Sequence, residues 1–171
     1  MKKVIVLIGI VLTGMLPCVS RAQTDGSRGD QAFVNEAARG GEMEVKLGEL
    51  AEQVGSAAAV KEFGVRMVKD HTRLNTELSS SAKSIGLEVP STISTQQQAQ
   101  YDQLAALTGR KFDTAYIQMM VKDHTADLAA FQKEAKATQD AKLKGTVEGA
   151  IPVIEEHLSM AKNDSIKVAA R

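Results

Sequence analysis

Three histidines are all the imidazole in this chain, and two of them stand in identical surroundings: MVKDHT runs from Met67 to Thr72 and again from Met120 to Thr125. Six identical residues within one chain point to duplication or to a shared constraint. His71 and His124 each fall on a stripe of apolar residues at steps of three and four, and His157 does the same beside Ile151, Ile154 and Ala161. Glu44 occupies the matching place on a fourth stripe, with Phe33, Ala37, Leu47 and Ala51. A polar group on such a stripe faces the interior, where it must be paired or it costs free energy.

Imidazole nitrogens and a carboxylate gathered between helices make a suitable ligand set for zinc, copper or iron, since neutral histidine serves all three. Glu44, His71, His124 and His157 are therefore the candidate metal ligands. Each histidine has a methionine one turn away, Met67, Met120 and Met160 respectively. Thioethers favour copper(I), although methionine at helical spacing also serves as flexible core filler. Asp127, three residues after His124, is the candidate for an additional carboxylate.

The competing arrangement holds no ion. Glu44 then accepts a hydrogen bond from one imidazole, and a backbone carbonyl freed near Pro152, such as that of Glu148, accepts from another. Asp70 and Asp123 lie about 100° around the helix from their histidines. They can orient a histidine of a neighbouring helix or pair in solvent with Lys69 and Lys122. Gly40 and Gly41 are expected opposite His71, where missing side chains leave room for an imidazole. No catalytic residue and no organic cofactor site stands out.

The elements that must position these residues are helices. The spacing predicts a first long helix from an N-cap at Asp30 to a stop at Gly55, and a second from a cap at Ser56 to Gly86. Pro90 marks a connector, and Ser94 with Gln97 forms a capping box for a short helix to about Thr108. A third long helix spans about Lys111 to Thr138, and Asp140 caps the last, which contains Pro152 and is expected to kink there. With no run of alternating β-branched residues, the fold class is all-α. The link of about 25 residues between the second and third long helices can cross the bundle, which predicts a ferritin-like four-helix bundle with a short extra helix in that crossover.

The ends bound the domain. Lys2 and Lys3, the apolar run Val4 to Leu16, and small residues at Ser20 and Ala22 read as a signal peptide over residues 1–22. A flexible tether is expected over 23–29, the bundle domain over 30–162, and a polar tail over 163–171. Cys18 is the only cysteine, and a lipoprotein anchored through it is the rival reading, disfavoured by Pro17. Cleavage after Ala22 would leave no thiolate ligand and no disulfide. Loss of Lys2, Lys3 and Arg21 would take the net charge from zero to minus 3, which offers nucleic acid no attraction.

Four segments, FVNEAARGGEMEVKLGELA (33–51), VKEFGVRMVKDHTRLNTEL (60–78), FDTAYIQMMVKDHTADLAAFQKEA (112–135) and IPVIEEHLSMA (151–161), carry a resemblance to a known family. The chain resembles exported bacterial proteins catalogued as domain of unknown function four-one-four-two, often labelled outer-membrane proteins. The resemblance implies a ferritin-like fold and an envelope location, with no settled biochemical role. Di-iron bundles place a glutamate three residues before a histidine; here Val68, Val121 and Ile154 hold those places, which argues against di-iron oxidation. MVKDH is also similar to segments of exported copper-binding bundles, with Asp in place of their second histidine. The reading is a non-enzymatic exported bundle that binds a metal ion or small ligand at its centre. A structural or interaction protein of the envelope, and a metal-dependent redox enzyme, are the alternatives.

Overall fold

A computed structural model of the protein describes residues 25–169. The expected signal peptide, Cys18 and the start of the expected tether lie outside the described residues. Five α-helices follow in order: α1 (Asp25–Val54), α2 (Ala58–Ser84), α3 (Thr95–Ala105), α4 (Gly109–Ala137) and α5 (Ala141–Ala169). The described residues contain no strand, as an all-α chain requires. Among them, no helix is long and apolar enough to cross a membrane.

Two of the predicted boundaries need correction. α1 begins at Asp25, so residues 25–29 are helical and Asp30 is no N-cap. Asp30 is instead buried and meets Glu134 of α4 through a carboxyl hydrogen bond. At the other end α5 continues to Ala169, with Asp164 and Val168 buried where a polar tail was expected. Val168 belongs to the same apolar cluster as Ile117 and Ala161, and that burial extends the helix.

Capping chemistry fits elsewhere. Ser94 and Gln97 make the expected reciprocal box at the start of α3, and Asp140 accepts from Lys142 N and Leu143 N at 2.8 and 3.0 Å. Gly86, at φ 81°, follows the end of α2 in the left-handed conformation that a side chain would resist. Ser56, however, does not cap α2. Ala57 holds that position without a side-chain cap, and Asp113 of α4 holds the turn just before the helix: it accepts from Ser56 N at 2.8 Å, from Ala57 N at 2.9 Å and from the Ser56 hydroxyl. One buried side chain thus ties the α1–α2 turn to the first turn of α4.

The residue pairs in contact set the helix directions. Phe33 meets Phe131, and Ser56 meets Asp113, so α1 and α4 run in opposite senses. Phe63 meets Tyr116 and His71 meets His124, so α2 and α4 run in the same sense. The repeated hexapeptides therefore lie side by side. α5 returns against both, packing closely with α4 and, through Leu74, Ala150 and Ile154, with α2. α3 lies across α1 and α4, anchored by the buried Leu104. The connector before it is held by Gln31, whose amide exchanges hydrogen bonds with the Glu88 backbone at 2.8 and 2.9 Å.

Glycines set the closest approach between α1 and α2. A Cβ on Gly48 would lie 2.8 Å from the Gly64 carbonyl, and one on Gly64 would lie 2.6 Å from the Gly48 carbonyl. The two backbones touch because neither residue has a side chain. Gly41, expected beside an imidazole, faces Asn75 instead, while a Cβ on Gly40 would meet nothing within 4 Å.

Candidate metal centre

Each long helix delivers one group to a layer near the middle of its length: Glu44 from α1, His71 from α2, His124 from α4 and His157 from α5. Their burial follows from the apolar stripes that carry them. Glu44 and His71 are 4% and 5% exposed, and His124 and His157 are fully enclosed. The three imidazole rings form a triangle with centroids 5.2 to 5.6 Å apart. One ring nitrogen of each can be chosen so that all three lie within 4.8 Å of one another.

Hydrogen bonding fixes the tautomers. His71 Nδ1 donates to Glu44 Oε2 at 2.9 Å, His124 Nδ1 donates to the Met120 carbonyl at 3.0 Å, and His157 Nε2 donates to Asp70 Oδ2 at 3.0 Å. A neutral imidazole has a single N–H, and in each ring that proton is now committed. Nε2 of His71, Nε2 of His124 and Nδ1 of His157 are left as buried acceptors without a donor. Burial holds all three rings below their ordinary pKa, His71 down to about 4, so they are neutral at pH 7.

The acceptors of these N–H groups are themselves held. Burial works to raise the pKa of Asp70, yet hydrogen bonds from Arg66 and His157 keep it low. Arg66 in turn reaches Glu156 of α5 at 3.0 Å. Asp70 is therefore buried and bound to His157, so that of its two expected placements it takes the one orienting a histidine of a neighbouring helix and not the one in solvent beside Lys69. Its partner is the histidine of α5, the helix packed on that side of α2. The Glu148 carbonyl is not the acceptor used; Met120 O and Asp70 fill that role.

Buried Glu44 and half-buried Asp127 form a carboxyl pair. Burial raises both carboxyls above their usual range, and a proton on Asp127 donates to Glu44. Glu44 Oε1 itself meets no hydrogen-bond donor among the described residues and lies 3.4 Å from an imidazole nitrogen already committed to Met120. Beside the pair is a small, partly open cavity of about 30 Å³, bordered by Gly40, Glu44, His71 and Asp127 among mostly apolar neighbours. Such a space holds one or two waters and no organic substrate.

The pH dependence of metal-free stability follows from these opposed shifts. The carboxyls have folded pKa values above their unfolded ones, so their contribution is complete in acid and disappears as pH rises through the raised values. The histidines have lowered values, so theirs is complete above about 6.5 and disappears toward about 4. Between about 4.5 and 6.5 the two slopes oppose each other. Above that range only the carboxyl slope remains, and thermal melts of the metal-free protein should show Tm falling between pH 6.5 and 9. A Tm that rises or stays level over that interval would contradict the shared proton.

Met67 and Met120 are fully buried in the cluster of Phe63, Phe112 and Tyr116, and Met160 packs against it, so all three contribute to the core. Sequence reasoning did not single out Asp113 or Tyr116. The Tyr116 hydroxyl is buried without a hydrogen-bond partner, and burial followed by the charge of Glu44 raises its pKa, so it stays a neutral phenol.

A protein-family model described as a domain of unknown function (DUF4142) matches residues 17–163. No curated protein and no solved structure matches the chain.

Proposed function

The chain belongs to the DUF4142 family of unknown function, and we propose that it is a non-enzymatic protein that binds one transition-metal ion, zinc or copper, between His71, His124 and His157. The observation that carries this reading is the orientation of the imidazoles: every ring gives its proton to an outer acceptor and leaves the other nitrogen buried without a donor. Histidines that ligate metals are oriented in this way, with the second nitrogen donating to a carboxylate or carbonyl. A purely structural network would pair its imidazole nitrogens, whereas each ring here keeps one buried acceptor without a donor, at a cost in desolvation energy.

The size of the triangle also fits. Ligand distances near 2.05 Å in a tetrahedral site place nitrogens about 3.3 Å apart, and the present spacing, within 4.8 Å, closes to that by small side-chain rotations. Glu44 then acts through His71, and its free oxygen faces the same layer. The enclosure of the site and the small cavity beside it favour holding an ion over transforming a substrate.

The helix directions support a ferritin-like four-helix arrangement, with two antiparallel hairpins, α1–α2 and α4–α5, joined by a crossover that contains α3. The basic start, the apolar run and the small residues before Gln23 support export to the cell envelope.

Metal analysis tests the reading. Protein purified without a histidine tag and incubated with zinc, copper or iron should retain one ion per chain after desalting. Saturation at about a thousand times Kd adds about 4 kcal/mol of stability, a rise of about 10 °C in Tm for a chain of this size. Absence of stoichiometric metal with all three ions would overturn it.

A further inference from the structure

An ion bound by three enclosed imidazoles needs a way in, and the molecule has one on the face covered by α3. There a cleft of about 220 Å³ opens between α1, α3 and α4. Its charged lining among the described residues is entirely acidic: Glu36 at the exposed rim, Asp123 partly buried below it, and Glu44 with Asp127 at the floor. Glu44 and Asp127 also border the small cavity that reaches His71. The wall between cleft and cavity is formed by Glu44 and Asp127 with Gly40, Ala37 and Phe131, and its polar members are the two carboxyls.

We infer that this cleft is the entry path for the cation, with Glu36 and Asp123 drawing it in and Glu44 with Asp127 passing it to the histidines. Acidic side chains on a surface are common and carry no such meaning alone. Here the path ends on Glu44 Oε1, an oxygen of a side chain that is 4% exposed and that no nitrogen donor among the described residues satisfies. A carboxylate oxygen in that position is a stopping point for a hard or borderline cation on its way to nitrogen ligands. Gly40 adds a second indication, because a Cβ there would meet nothing within 4 Å, so the passage is open along that strip of α1.

The inference rests on the metal reading above and predicts a rate, whereas that reading predicts an affinity. Stopped-flow mixing of the protein with Zn²⁺ alone, and separately with Cu²⁺ alone, measures both. The double variant Glu36→Gln/Asp123→Asn should load about tenfold more slowly at low ionic strength, with Kd unchanged. The difference should shrink in about 0.5 M salt, where screening replaces steering. Gly40→Leu, which narrows the passage while leaving every ligand residue in place, should slow loading at every salt concentration. Loading at the wild-type rate in both variants would show that ions enter elsewhere, and a weakened Kd in the double variant would place those charges at the site itself. Failure of the wild-type protein to bind either ion would instead remove the metal reading, and the entry path with it.

Discussion

Replacing His124 with leucine should lower zinc or copper affinity by at least about a hundredfold, while leaving the metal-free protein as stable as before or more so. Loss of an outer partner of a metal-bound histidine typically costs 10- to 100-fold in affinity, and removing one of three nitrogens must cost more. The stability half of the expectation comes from what His124 touches. Its Nδ1 donates to the Met120 carbonyl inside its own helix, so its loss strands no carboxylate. The ring is fully enclosed, and its Nε2 is a buried acceptor with no donor. An apolar side chain of similar size removes that unpaired atom, a change that is nearly neutral or stabilising. His157→Leu is the contrasting variant, because it would leave Asp70 without one of its donors and should destabilise. Titration calorimetry and thermal melts of the two metal-free variants separate the cases. If His124→Leu binds metal like the wild type, the imidazole triangle is not the site.

Asp113→Ala should lower stability by about 3 kcal/mol, or about 10 °C in Tm. The carboxylate accepts three hydrogen bonds from the α1–α2 turn, two of them from backbone N–H groups that begin α2. Ala57 is 1% exposed, so its N–H would be left dry and unpaired. Asp113→Asn keeps one acceptor oxygen and should lose about half as much. The same turn fixes the distance of α1 and α2 from α4, and hence of Glu44 and His71 from His124. Metal affinity should accordingly weaken in Asp113→Ala although no ligand has changed. Equal melting temperatures for variant and wild type would show that the turn is held by packing alone.

Much of the centre was legible because burial and chemistry share one periodicity. Glu44, His71, His124 and His157 interrupt apolar stripes, and the packing that buries those stripes brings the interruptions together. Asp70 was legible only as one of two alternatives, since its position beside the stripe becomes interior only when α5 packs there; its sequence neighbours, Lys69 exposed and His71 buried, are consistent with either fate. The helix ends failed for the same reason. Asp30 is an excellent cap by type, but a carboxyl partner on α4 draws it into the bundle and the helix runs past it. Gly48 and Gly64 are invisible as a pair until α1 and α2 are laid together, and Asp113 holds a turn more than 50 residues earlier in the chain. Local signals such as the Ser94 box and Asp140 succeeded because both partners lie within three residues.

The sense in which the helices run has a consequence for how the protein comes apart. The α1–α2 hairpin contributes one imidazole, and the α4–α5 hairpin contributes two. Neither half owns the set, so tight retention of an ion reports that the halves are docked. Partial denaturation that preserves helices but separates the hairpins should release metal while circular dichroism scarcely changes, and the pair of imidazoles left on the second hairpin would hold it only weakly. The bound ion would act as a reversible clasp between two halves of one chain, and its release would be the first sign of their parting.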